Sequence, residues 1–216
     1  FILKELEAVA AILPVQNMLE SSGHITKGAA LALKARLELY LGKYEQAQNS
    51  AETVINMSCY ELYPDYEELF WPSAESSNKE SILEVQYMKN DYSSMLPQLT
   101  LPATEGGWSA LNALWSFVDA FQVDNGKFID EPNSGYNPDE PFKHRDPRLT
   151  KIVLCPGEEY NGRFYNPLDK FIDGQSDRKN LDYHEEAAAS RGGLLVKKYT
   201  YPMSVVDANN HDGNAI

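Results

Sequence analysis

The segment from Thr26 to Ile55 constrains the fold more than any other part of the chain, because its spacing fits one helix, one tight turn and a second helix. Leu33, Leu37, Tyr40 and Leu41 fall at i, i+4, i+7 and i+8, while Leu31, Ala35 and Leu39 form a second ridge beside them. A helix that is apolar on nearly two faces is expected to be buried between neighbours. Gly42 supplies the permissive backbone that a helix end needs, and Tyr44, Ala47, Ala51, Val54 and Ile55 then mark the stripe of a returning helix. The pattern predicts antiparallel helices over 25–41 and 44–55, packed through Ala35, Leu37, Ala47 and Ala51.

The order Ala35, Gly42, Tyr44, Ala47, Val54 resembles a tetratricopeptide unit, although Lys34 and Glu38 stand where the first helix usually carries an aromatic residue. Ahead of the hairpin, Ile2, Leu6, Val9 and Leu13 lie on one face of a further helix with no cap before it. The chain is therefore expected to be an internal piece of a longer protein. With 216 residues it can hold one substantial core or two small ones. A formal charge of −13 argues against nucleic acid, which requires clustered Lys and Arg. No run reaches the about 18 apolar residues of a membrane span.

The character of the sequence changes near residue 57. Before it everything reads as helix; after it Pro, Gly, Asn, Asp, Tyr and Trp accumulate between short elements. We expect a helical scaffold over 1–57 and a loop-rich lobe over 58–216 that packs on it, both parts of one larger domain. Within the lobe, the alternation in 81–87 predicts a strand. Leu111, Leu114, Val118 and Phe121 predict a helix, with Ser109 as its N-cap and Trp115 in its core stripe. Asp124-Asn-Gly-Lys127 reads as a tight turn, and 149–154 and 193–201 as short strands.

Flat aromatic rings pack on the apolar faces of ring-shaped ligands, and Asn, Asp, Arg and Gln take hydroxyl hydrogen bonds. The lobe is rich in both kinds of residue. Trp108 is the first candidate, since it follows Gly106-Gly107, a loop able to lie open. Trp71 before Pro72, and Tyr92, Tyr136, Tyr160 and Tyr165 beside Asn, Asp or Gly, are further binding candidates. Arg145-Asp-Pro-Arg148 reads as a structural clasp between scaffold and lobe, through the multi-donor guanidinium.

Catalytic and metal signatures are absent from the sequence. His24, His144, His184 and His211 have no zinc spacing, and there is no Gly-x-Ser-x-Gly elbow. Thirty-two acidic residues make paired carboxylates uninformative as a glycosidase signal. Asp207–Gly213 approaches a calcium loop, but its Gly comes one position late and a closing Glu is missing, so a solvated loop is expected. Cys59 and Cys155 are expected to be separate thiols. No catalytic residue, metal or cofactor is expected.

Eight segments in order bring a family into view: Leu6-Glu7 through Leu13-Pro14; Thr26 to Arg36; Leu41 to Ala47; Tyr60-Glu-Leu with Leu69-Phe70; Asn78-Lys-Glu80 with Ile82 to Val85; Val118 to Phe121 with Asp124-Asn-Gly126; Arg145 to Leu149; and Val196 to Tyr199. Over nearly all of residues 1–201 the chain resembles the central part of the SusD/RagB family, the surface glycan-binding lipoproteins of nutrient-uptake systems in the Bacteroidetes. The resemblance implies a mostly α fold, with tetratricopeptide-like hairpins as scaffold and an irregular lobe holding short β-strands. It implies a non-catalytic role: capturing oligosaccharides at the cell surface for a TonB-dependent outer-membrane channel of the SusC kind. It further implies a lipid anchor on the outer membrane, whose lipobox cysteine this sequence does not contain. In the family some binding aromatics fall between the segments matching 81–87 and 145–149, which favours Trp108. A tetratricopeptide-type interaction scaffold is the alternative, and a glycoside hydrolase a third; the scaffold would predict further hairpins after residue 57.

Overall fold

The computed structural model describes residues 1–15, 23–74, 77–85 and 94–201. The described residues fall into two compact units, one from Phe1–Pro64 and Glu75–Gln86, the other from Asp65–Ala74 and Tyr87–Ile216.

The first unit is helical: α1 (Ile2–Ile12), α2 (Lys27–Tyr40) and α3 (Tyr44–Ile55), with α1 against α2 and α2 against α3. Thr26 caps α2, its Oγ1 accepting the Ala29 N–H at 3.4 Å, and Gly42 at φ +69° turns the chain into α3. The hairpin thus forms where the sequence predicts it, but its buried faces differ. They comprise Ala10 of α1, Gly28, Ala30, Leu31 and Glu38 of α2, and Ala47, Ser50 and Val54 of α3. Leu33, Leu39, Tyr40, Leu41, Tyr44 and Ile55 are exposed, as is Ala51. Small residues explain the rotation: Gly28, Ala30, Ala47 and Ser50 admit close approach, and the bulky ridge turns outward.

At the α2–α3 contact the buried Glu38 carboxylate accepts a hydrogen bond from Ser50 Oγ at 2.7 Å and lies 3.7 Å from Lys34 Nζ. The charged residue that departs from the tetratricopeptide pattern is therefore a buried tie between helices. Tyr60, Met57, Leu13 and Ile82 pack around the core of Ala10, Ala30, Leu31 and Val54. The Tyr60 ring lies directly on the first turn of α2, where a Cβ on Gly28 would stand 2.1 Å from its hydroxyl oxygen. The strand expected over 81–87 does not form at 81–85, where Leu83 and Val85 are exposed; Gln86 and Tyr87 lie outside the described residues. Instead Asn78 Oδ1 accepts the N–H groups of Glu80 and Ser81, and Glu80 accepts that of Tyr63 at 2.8 Å, which bends the chain.

The second unit is built from short pieces: single turns at Glu68–Phe70, Pro72–Ala74, Ala103–Glu105 and Ile172–Gly174, helices α4 (Leu96–Thr100), α5 (Trp115–Asp119) and α6 (Arg148–Ile152), and strands β1 (Val153–Leu154), β2 (Glu159–Tyr160), β3 (Arg163–Phe164) and β4 (Leu195–Val196). β1 pairs antiparallel with β4, Val153 opposite Val196 and Leu154 opposite Leu195. The alternation of side chains sends Val153 and Cys155, with Leu194, into a core with Val118 and Leu149. Leu154 and Leu195 go to the other side, into a core with Leu101, Tyr160 and Tyr165.

Two expectations are corrected here. The helix foreseen from Leu111 to Phe121 spans only α5, and Ser109 is not its cap. Ser109 sits at φ +45°, and the backbone of Ala110, Leu111 and Ala113 bonds outward to Leu99 and Leu194. The segment 149–154, read as a strand, is helix α6 followed by two strand residues.

Arg145 is buried, and its guanidinium donates to Pro141 O at 2.7 Å, Val118 O at 2.7 Å and Phe121 O at 2.9 Å. It closes the C-terminal end of α5, where free carbonyls and the helix dipole favour a cation. The Arg145 motif is a clasp as expected, but every one of these contacts lies within the second unit. The Asp124–Lys127 turn forms with Gly126 at φ +83°. Both cysteines are free; burial pushes the Cys155 thiol up to about 12. The Asp207–Gly213 loop lies outside the described residues. No helix among the described residues is long and apolar enough to cross a membrane.

Candidate functional site

The hairpin of β2 and β3 turns through Asn161-Gly162, both at positive φ, and pairs Tyr160 with Arg163 and Glu159 with Phe164. An Asn-Gly pair is the preferred two-residue turn where right-twisted strands must meet, so the sequence specifies this hairpin locally. It forms one wall of a solvent-open cleft of about 110 Å³. Thr104 and Glu105 form another wall, and the segments 166–172 and 180–182 complete it.

Each wall is tied to the next. Glu105 accepts hydrogen bonds from the Arg163 guanidinium and from Asn161 Nδ2 at 2.6 Å; Arg163 also donates to Thr104 O at 3.3 Å. The buried Asp182 accepts both the Thr104 N–H at 3.2 Å and the Thr104 hydroxyl. Burial pushes its carboxyl above the usual range, against those two bonds. Asn180 Nδ2 donates to Asn166 O at 2.8 Å and Asp169 O at 2.7 Å, which folds the 166–180 loop onto itself.

The cleft has an aromatic floor and an aromatic rim. Tyr160 and Tyr165 are buried, burial holding both phenols well above their ordinary range. Phe164 is 69% exposed and Phe171 41%, which leaves their rings free to take an apolar face. Asn166, Asp169 and Arg163 line the same cleft, with donors and acceptors suited to hydroxyl groups. Exposed rings beside polar side chains in a concave, internally braced site suit a hydroxyl-rich ring compound.

Of the residues expected from the sequence, only Tyr160 and Tyr165 line this cleft, and their rings are largely covered. Trp108 is 51% exposed on the same segment of chain that supplies Thr104 and Glu105, its backbone N–H donating to Gln98 O at 2.8 Å. Gly107 before it is buried against Leu101, and only Gly106 takes positive φ, at +84°. Trp71 is half-buried between two single turns. Tyr136 is covered by the Arg145 guanidinium, 5.3 Å from its ring centre. Tyr92 lies outside the described residues. Trp115, assigned to the core from its spacing, is 44% exposed, stacked on Phe142 at 5.6 Å and donating to Gly192 O at 3.2 Å. The rim residues Phe164 and Phe171 were missed; Asn161-Gly162 is the signal that would have revealed a hairpin exposing Phe164.

No curated protein matches the chain. A SusD-like carbohydrate-binding protein from Bacteroides fragilis is similar in structure, with 30% identity and a TM-score of 0.72, covering 91% of this chain and 38% of its own. A second SusD-like protein from that species shares 26% identity at a TM-score of 0.63, covering 91% and 40%. A SusD superfamily protein from Bacteroides vulgatus, 23% identical, shares the fold at a TM-score of 0.57, covering 92% and 36%. The chain thus spans about two fifths of the length of these proteins. The model of the SusD family matches residues 67–215. With that match over most of the chain, and a helical hairpin unit joined to an irregular unit of short strands, the chain belongs to the SusD family.

Proposed function

We propose that the chain is the ligand-holding part of a non-catalytic oligosaccharide-binding protein, displayed on the outer membrane through an N-terminal lipid anchor and working with a TonB-dependent channel of the SusC kind. One observation carries the reading: in a member of the SusD family, a braced cleft presents the open rings of Phe164 and Phe171 beside Asn166, Asp169 and Arg163. The carbohydrate-binding relative from Bacteroides fragilis supports the ligand class. In this reading Phe164 and Phe171 stack on a pyranose face, Asn166 and Asp169 take its hydroxyls, and Trp108 adds a second exposed ring on the segment that walls the cleft. Tyr160 and Tyr165 support the floor. The two units belong to one larger domain.

Binding without turnover is the test. Calorimetric titration against a panel of oligosaccharides, with a reducing-sugar assay on the same mixtures, is expected to give heat of binding and no new reducing ends. Release of reducing ends overturns the non-catalytic reading, and absence of binding across the panel overturns the glycan reading. The uptake partner is tested separately: the parent protein is expected to co-purify with a large β-barrel from outer membranes, and a purely cytosolic parent without a lipid-modified cysteine contradicts this.

A further inference from the structure

Charge in the cleft is unbalanced. Arg163 is the cation among its lining residues, and it is already engaged by Glu105, whose side chain is 5% exposed, and by Thr104 O. These two charges cancel each other. Asp169 and Asp182 remain, and neither forms a salt bridge among the described residues. Asp169 is exposed and accepts a single hydrogen bond from Asn166 Nδ2 at 2.6 Å, which leaves acceptor capacity facing the cleft. Asp182 is buried at its inner wall.

We propose that the cleft selects neutral oligosaccharides and rejects those carrying carboxylate or sulfate groups. The inference rests on the glycan-binding reading and narrows its substrate class. A neutral sugar brings hydroxyl donors, which a carboxylate accepts in charge-assisted bonds. A uronate or sulfate brings a fixed negative charge into a site whose guanidinium charge is balanced by Glu105 and whose remaining ionisable lining groups are acidic. Two like charges about 6 Å apart in a water-like dielectric weaken binding about threefold, and the exposed Asp169 carboxylate supplies that much. Salt screening should shrink that penalty. Binding such a glycan through Arg163 instead would draw that cation away from Glu105, a buried carboxylate then held by Asn161 Nδ2 alone.

The test is calorimetric titration of the full chain with neutral malto-, xylo- and manno-hexasaccharides, an oligogalacturonide hexamer and a chondroitin sulfate hexasaccharide, at low and high salt. The expected result is measurable binding of at least one neutral glycan. Both anionic glycans should then bind at least about threefold more weakly at low salt, with a smaller gap at high salt. Asp169→Asn should narrow the gap about threefold. Anionic glycans that bind as tightly as the neutral ones, or a gap unmoved by Asp169→Asn, overturn charge selection while glycan binding stands. Binding of none of the five overturns the glycan reading and this inference with it.

Discussion

Arg145→Ala should unfold the second unit far more readily while sparing the first. The guanidinium makes three hydrogen bonds to carbonyl groups from a site that is 6% exposed, and also covers the Tyr136 ring. Hydrogen bonds to a charged group contribute about 1.5–3 kcal/mol each, so three set an upper bound of about 4.5–9 kcal/mol. Burying the cation costs several kcal/mol of hydration, which offsets part of this, and a net loss of about 3–5 kcal/mol remains. Arg145→Lys should lose about half as much, because a compact ammonium cannot span Pro141 on one side and Val118 with Phe121 on the other. The assay separates the units without dissecting the chain. Trp71, Trp108 and Trp115 all lie in the second unit, whereas the long helices lie in the first. Urea unfolding followed by tryptophan fluorescence should shift strongly, and the far-ultraviolet dichroism of α1–α3 should shift little. A fluorescence change below about 1 kcal/mol, the size of an ordinary surface substitution, would refute the clasp.

Gly107→Ala should destabilise the same unit by about 1–3 kcal/mol or more, since the new Cβ would stand 2.2 Å from the Leu101 carbonyl oxygen; an unchanged fluorescence midpoint counts against this packing. Ala47→Phe should overpack the α2–α3 contact by about 1–3 kcal/mol, read in the dichroism transition. Glu158→Gln tests the half-buried carboxylate that accepts the Cys155 N–H at 2.6 Å. Burial raises its pKa in the folded chain, so its stabilising contribution is complete below the ordinary carboxylate range and lost as pH rises through the raised value. The variant should therefore be more stable than the parent at neutral pH, with the difference fading as pH falls towards the usual range; equal stabilities at pH 7 would contradict the assignment.

Much of the helical unit was legible because helix spacing and a C-terminal glycine act within a few residues of each other: Gly42 and the α2–α3 turn stand as read. The face each helix buries was not, because it depends on what packs there. Glu38 and Ser50 are buried as a pair while Leu33 and Tyr40 face outward, and hydrophobicity alone ranks them in reverse. In the second unit local rules lost to tertiary pairing. The Leu111–Phe121 periodicity suits a helix, yet the backbone of 110–113 bonds to Leu99 and Leu194. The candidate cleft was legible only in part: of the aromatic residues singled out, Tyr160 and Tyr165 line it, but as floor. Which of two neighbouring aromatics is exposed, Phe164 or Tyr165, follows from the register of a two-residue strand that only the Asn161-Gly162 turn fixes.

The most direct measurement is oligosaccharide affinity for the parent chain, Phe164→Ala and the double variant Phe164→Ala, Phe171→Ala, with a melting curve for each. Both rings are open at the rim, so their removal should leave the melting temperature within a degree or two, and a lost stacking ring should cost about 1–3 kcal/mol of binding. The account predicts affinity about tenfold lower for the single variant, lower still for the double, and an unchanged fold. Full affinity in the double variant would contradict it and move the binding surface elsewhere, with Trp108→Ala in the same assay showing whether it lies on the neighbouring segment.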